Sequence, residues 1–88
     1  MLLTPSLSRA ARGLLDWTQE ELAQHADVSR STVRDFEKGR HELHRGSAVR
    51  IERAFAAAGV VLIPADELGP GVRLTAPEQV REAGAGPG

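Results

Sequence analysis

The chain of 88 residues contains no cysteine. This absence excludes disulfides, thiolate chemistry and cysteine-ligated zinc. Its longest apolar runs, such as residues 54–63, fall far short of the roughly 20 residues that a membrane-spanning helix requires. The N-terminus also lacks the basic segment followed by an apolar one that is typical of a secretory signal. We therefore expect a cytoplasmic protein with no membrane partner.

The overall charge is close to balanced, at -1, which gives little general attraction to nucleic acid. The distribution along the chain is uneven, however. Between residues 30 and 53 there are seven arginines and lysines against four acidic residues, whereas acidic residues dominate elsewhere. Hydrophobic residues make up 41% of the chain, which is ordinary for a globular protein. A single small domain with one locally basic surface is expected.

Helix-start signals occur twice in the first quarter of the chain. Ser6, just after Pro5, is the predicted N-cap of a first helix, which has apolar residues at helical spacing. Thr18 and Glu21 then form a capping box, in which each side chain satisfies a backbone amide of the other residue. This box predicts a short second helix that ends at about His25.

Two further helices follow. Ser29 is the predicted N-cap of a third helix of about three turns, which ends at Gly39. After a polar loop, Ser47 is the predicted N-cap of a fourth helix that ends at Gly59. Arg50 and Arg53, on that fourth helix, are expected to be solvated.

The character of the sequence changes after residue 59. Residues 60–63 and 72–75 are rich in strand-forming side chains and are separated by a turn-rich stretch, which predicts a strand pair. Two short strands are marginally stable alone, so they need the helical core or the same element of a second subunit. We expect them to form a homodimer interface, with these members: Val60, Val61, Leu62, Ile63, Val72 and Leu74. Residues 76–88 lack periodicity and are predicted to be a disordered tail.

The second and third predicted helices lie on either side of a three-residue turn, which is the geometry of a helix-turn-helix. In this motif the second helix enters the major groove of DNA with its N-terminal residues at the base edges. An arginine can form two hydrogen bonds to a guanine, and hydroxyl groups suit several base edges. The candidate base contacts are Arg30, Ser31, Thr32 and Arg34. Candidate phosphate contacts around the following loop are Lys38, Arg40 and Arg45.

The run resembles the lambda-repressor-like, or Xre-type (Cro/C1-type), helix-turn-helix family of bacterial and phage regulators, over about residues 7–55. The matching segments are TQEELA at residues 18–23, VSRSTV at 28–33 and FEKGR at 36–40. The resemblance implies a mainly α, four-helix DNA-binding domain with residues 29–38 as its recognition helix. It further implies that Gln19 contacts or caps near a phosphate and that Arg12 pairs with Glu37.

Two features depart from this pattern, Asp27 and the C-terminal extension at residues 60–75, which is not part of the minimal DNA-binding domain. Asp27 occupies a turn position where the family usually has glycine, and there it is expected to adopt the left-handed conformation that aspartate tolerates. Asp35 brings negative charge to the recognition helix. It either weakens DNA binding and rejects certain bases, or accepts a hydrogen bond from a cytosine amino group.

Few residues in the sequence indicate a metal site, a phosphate-binding loop or an enzyme active site. Three histidines, His25, His41 and His44, lack the spacing and the companion ligands of a metal site, and Trp17 is expected to cover the first helix. No phosphate-binding glycine loop and no nucleophile beside a base is found in the sequence. We predict no metal, no cofactor and no enzymatic activity.

Two functions remain open. The first is a homodimeric, sequence-specific transcriptional regulator on a palindromic operator, with residues 1–59 as the DNA-binding domain, the helix-turn-helix at 18–39 and residues 60–75 as the dimerisation extension. The alternative is a protein-interaction module, an antitoxin or antiactivator, that uses the same scaffold to bind a protein partner. The two aspartates and the near-neutral charge keep this alternative open.

Overall fold

The computed structural model describes residues 2–75, so the predicted tail at residues 76–88 lies outside the described part. Four helices precede a short antiparallel sheet, as predicted for a mainly α fold. Their bounds are α1 Pro5–Leu15, α2 Gln19–Ala26, α3 Arg30–Glu37 and α4 Arg45–Ala57, followed by β1 Val60–Ile63 and β2 Gly71–Leu74. Within residues 2–75, no helix has both the length and the apolar character needed to cross a membrane.

Helix α1 begins two residues earlier than expected. Its N-cap is Thr4, whose Oγ1 accepts a hydrogen bond from the Leu7 N–H at 3.2 Å. The prediction of Ser6 as N-cap was wrong because Pro5 occupies the first helical position. Proline suits that position, since its fixed φ is helical and its missing N–H would have no partner there.

The starts of α2 and α3 agree with the sequence prediction. Both hydrogen bonds of the predicted capping box form, with Glu21 N–H donating to Thr18 Oγ1 at 3.0 Å and Thr18 N–H donating to Glu21 Oε1 at 2.8 Å. Ser29 Oγ accepts from the Thr32 N–H at 3.1 Å at the start of α3. Helix α3 has eight residues rather than three full turns, and the chain turns at Gly39 with a φ of 75°.

Helix α4 begins at Arg45, with His44 as its N-cap, so the prediction of Ser47 as N-cap was wrong. The first helical hydrogen bond runs from the Ala48 N–H to the His44 carbonyl at 2.9 Å. In the other three helices a backbone N–H donates to the N-cap side chain, whereas the His44 side chain accepts no such hydrogen bond at the start of α4.

The apolar faces of the four helices meet in one core. Its largest fully buried apolar side chains are Phe55, Leu22, Ile51 and Val33. Trp17 packs against this core, with its ring centroid 6.1 Å from that of Phe55. Its other stacking partner is the exposed His25, with ring centroids 4.1 Å apart and planes within 6°. Trp17 therefore joins α2 to α4.

The two strands form a hairpin whose register pairs Val60 with Leu74 and Leu62 with Val72. These four side chains share one face of the hairpin, where Val60 is only 3% exposed and the other three pack against the helical core. The monomer thus already uses four of the six side chains that we assigned to a dimer interface. The other two predicted interface residues, Val61 and Ile63, lie on the opposite face of the hairpin.

Candidate nucleic-acid interface

Residues 27–29 separate α2 from α3. Asp27 has the predicted left-handed conformation, with φ 57° and ψ 48°, and the Val28 N–H closes the end of α2 on the Ala23 carbonyl at 3.0 Å. Arg50 is exposed, as expected for a solvated side chain, and its Nη1 also donates to the Asp27 carbonyl at 3.1 Å. The turn of the helix-turn-helix is therefore held from α4 as well as from within.

A buried carboxylate fixes α3 against the two preceding helices. The Glu37 side chain is 1% exposed, and Arg12 binds both of its oxygens, with Nη2 at 2.7 Å from Oε1 and Nε at 3.0 Å from Oε2. Ser8 Oγ donates to Oε2 at 2.5 Å, and Gln19 Nε2 donates to Oε1 at 3.1 Å. Arg9 also donates to the Glu37 backbone carbonyl. Residues of α1, α2 and α3 thus converge on one side chain.

Electrostatics at this cluster favour the charged carboxylate. Burial raises the pKa of Glu37, but the hydrogen bonds from Arg12, Ser8 and Gln19 and the charge of Arg12 outweigh burial and hold the pKa below its ordinary value. Neither Ser8 nor Arg9 was among the site residues predicted from the sequence. The spacing of Ser8 and Arg12, four residues apart on one helix face, was an available signal for Ser8.

The predicted phosphate contact Gln19 stands at the edge of this cluster. Its amide nitrogen donates one N–H to Glu37, which fixes the orientation of the side chain at the start of α2. A primary amide has a second N–H and a carbonyl oxygen, so this hydrogen bond does not exhaust its capacity.

The predicted base contacts occupy the first turns of α3. Arg30 is exposed and lines a cleft with residues of α2, including Glu20 and Gln24. Ser31 Oγ and Thr32 Oγ1 lie 3.1 Å and 2.7 Å from the capping Ser29 Oγ. The hydroxyl groups are thus ordered by the helix cap, while Arg30 lies on the side nearer α2.

An ion-pair cluster joins the recognition helix to the loop that follows it. Asp35 Oδ1 lies 3.2 Å from Arg34 Nε and 3.9 Å from Arg40 Nη1. A predicted base contact and a predicted phosphate contact therefore share one carboxylate. Asp35 is 25% exposed, so water weakens this cluster much more than it weakens the Glu37 pair.

The loop after α3 and the start of α4 complete this surface. A cleft of about 200 Å³ separates Ser31, Thr32 and Asp35 from the loop residues that face them, His41, Glu42, Leu43 and His44. Immediately beyond the loop, Arg45 begins α4 at its N-terminus without a side-chain cap. The positive end of a helix dipole and a cation therefore lie next to the recognition helix. Lys38, the remaining predicted phosphate contact, is the C-cap residue of α3.

The fold and this surface together define a helix-turn-helix domain of the DNA-binding class. The helix-turn-helix family model HTH_3 matches residues 9–57, which is more than half of the chain, and the chain belongs to this Xre-type, lambda-repressor-like family. A search of curated proteins finds no match. Family membership makes the protein a DNA-binding helix-turn-helix regulator.

Proposed function

We propose that the protein is a sequence-specific transcriptional regulator that binds a palindromic operator as a homodimer, with α3 of each subunit in the major groove. Half-sites are then about 34 Å apart, or a multiple of that distance. The observation that carries the proposal is the composition of one surface. It combines the exposed first turn of α3 with the uncapped N-terminus of α4 across a narrow cleft.

Base recognition is assigned to the first turns of α3. Arg30 is exposed at the first position of the helix, and Arg34 lies one turn further along the same side. Either guanidinium can form two hydrogen bonds to guanine O6 and N7, and such a contact is worth about 1 to 3 kcal/mol of discrimination against the wrong base. Ser31 and Thr32 supply adaptable hydroxyl contacts to bases or phosphates.

Phosphate contacts are assigned to the residues that surround this helix. Arg40 and Arg45 flank the cleft loop, Lys38 ends α3 and Gln19 begins α2. The backbone amides in the first turn of α4 add hydrogen-bond donors with a favourable dipole. These groups hold the domain on the duplex without reading its sequence, and their share of the affinity falls as salt concentration rises.

The test begins with selection of binding sites from a random double-stranded DNA library by the wild-type protein. A palindromic consensus is expected, and gel shifts on it at two salt concentrations then separate the assigned roles. Arg30→Ala and Arg34→Ala should relax the preference at particular base pairs. Arg45→Ala should weaken all sequences alike and reduce the salt dependence.

Arg53 provides the matched control for these variants. It is an exposed arginine on α4 outside the assigned surface, so Arg53→Ala should leave affinity, specificity and salt dependence unchanged. If no sequence is enriched and no salt-sensitive shift occurs, the regulator proposal is wrong. The protein-interaction function of the same scaffold then takes its place.

A further inference from the structure

The exposed large apolar side chains of the described residues are concentrated on one surface. They are Leu2 at 48% exposure, Val49 at 36%, Val61 at 42% and Leu68 at 91%. Leu2 and Val61 line the same groove, together with Glu52 of α4. Val49 lies one helical turn before Glu52 and therefore on the same side of α4. Only Leu68 lies elsewhere, between the two strands.

The groove follows β1 on the side of α4. Its volume is about 520 Å³, and its lining is Leu2, Glu52, Ala56, Val60, Val61 and Leu62. Three of these residues belong to β1 and none belongs to β2. Because β2 occupies the other side of β1, the groove runs along the edge of β1 that has no neighbouring strand in the described sheet.

The hydrogen-bond register shows which backbone groups face this edge. Thr75 N–H donates to the Gly59 carbonyl at 2.7 Å, one position before the Val60 and Leu74 pair. Hydrogen-bonded and non-hydrogen-bonded pairs alternate along an antiparallel ladder. Val61 is therefore bonded to Arg73 of β2, whereas Leu62 directs its N–H and C=O away from β2. A strand that lies in the groove can pair with these groups of Leu62.

We propose that the occupant of this groove is a second copy of the chain, whose β1 lies antiparallel to the first β1. A short strand edge is self-complementary under a two-fold axis, and the Val61 side chains of the two copies then meet across it. The pairing converts a marginal two-stranded hairpin into a four-stranded sheet and covers Leu2 and Val61. The inference deepens the proposed function, which requires two linked recognition helices.

The absence of natural cysteine makes single cysteine substitutions a clean probe. In the proposed pairing Val61 occupies a non-hydrogen-bonded position, where facing Cα atoms are about 4.5 Å apart, within the range of a disulfide. Val61→Cys should therefore form a covalent dimer under mild oxidation, seen on a gel without reductant. Leu68→Cys is the matched control, since it is more exposed but lies outside the groove, and it should form no covalent dimer on the same gel.

A second variant measures association without a covalent bond. Val61→Lys changes an exposed side chain on the hairpin face opposite the core, and it should convert a wild-type dimer to a monomer in sedimentation at unchanged helix content. Leu68→Lys should remain dimeric. On the selected operator, Val61→Lys should bind at least tenfold more weakly than the wild type. If Val61→Lys fails to fold, the cross-linking result for Val61→Cys alone decides whether the proposed interface is correct.

The outcomes separate the interface from the function. A wild-type dimer in which Val61→Cys does not cross-link, or in which Leu68→Cys cross-links instead, overturns the interface and leaves the homodimeric regulator intact. Cross-linking through Val61 without sequence-selective DNA binding supports the interface and overturns the proposed function. A wild-type protein that is monomeric both alone and on DNA overturns the interface and the homodimer together.

Discussion

Two carboxylates stand two positions apart on α3, and their surroundings are opposite. Glu37 is 1% exposed and receives two hydrogen bonds from Arg12. Asp35 is 25% exposed, with its nearer partner Arg34 at 3.2 Å and the more distant Arg40 at 3.9 Å. The same chemical group thus faces the helical core in one case and the proposed DNA surface in the other.

The difference assigns two roles to one helix: Glu37 stabilises the fold, and Asp35 acts on the proposed DNA binding. Removing one partner of a buried pair leaves an uncompensated charge inside the protein, so Glu37 and its partners serve to orient α3. An exposed pair contributes little to stability, but its charge acts on an approaching phosphate. Changes at Glu37 should therefore alter folding, and changes at Asp35 should alter DNA binding.

The largest effect is expected when Arg12 is removed. Arg12→Ala leaves the Glu37 carboxylate buried without its main partner and should lower the free energy of unfolding by about 3 to 5 kcal/mol. Urea denaturation followed by circular dichroism measures it. The control is Arg40→Ala, which removes a partner of Asp35 and should change stability by no more than about 0.5 kcal/mol. Equal losses in the two variants would contradict the distinction between the sites.

The contribution of Glu37 to the free energy of unfolding should depend on pH. Because folding lowers the pKa of Glu37, its contribution to stability is complete above the ordinary carboxyl pKa and is lost as pH falls through the lowered value. The wild type should therefore be more stable than Glu37→Gln at neutral pH, and the gap should narrow in acid. Denaturation midpoints over a pH series provide the measurement. A gap that is independent of pH would show that the charge of Glu37 is not what stabilises the fold.

A third carboxylate can be introduced at the start of α4. His44→Asp supplies the missing N-cap and should stabilise the fold by about 0.5 to 2 kcal/mol, while its charge beside the proposed phosphate position should reduce DNA affinity by about tenfold. His44→Asn supplies a similar cap without the charge, so it should stabilise the fold with a smaller loss of affinity. Thermal denaturation and gel shifts measure the two effects. Unchanged DNA binding by His44→Asp would remove the α4 N-terminus from the interface.

The smallest effect is expected at Asp35. Asp35→Asn should change stability by no more than about 0.5 kcal/mol. It should also tighten binding to every DNA sequence by roughly threefold to tenfold at low salt, because it removes a negative charge near the phosphates and releases Arg34 and Arg40. Gel shifts on the operator and on unrelated DNA test this. Loss of preference at a single base pair would instead show that Asp35 reads a cytosine.

The local features of the fold could be predicted from the sequence. The capping box at Thr18 and Glu21 and the cap at Ser29 depend on neighbouring residues, and both were predicted. The left-handed conformation of Asp27 was expected from the glycine that the family usually has at this position. The ion pair between Arg12 and Glu37 was implied only by the family resemblance. Local signals were insufficient at Pro5 and at the start of α4, where more than one residue could serve as the N-cap.

By itself the sequence therefore determined the element types and the helix-turn-helix, because periodicity, caps and turn residues act over a few positions. Only the tertiary structure decided which side chains of those elements lie in the core and which contact residues distant in the sequence. It turned Val60, Leu62, Val72 and Leu74 to the core of their own chain, brought Ser8 and Gln19 to Glu37 and placed Arg50 on the turn. Such contacts join residues distant in sequence, and their partners follow from packing that no short segment specifies.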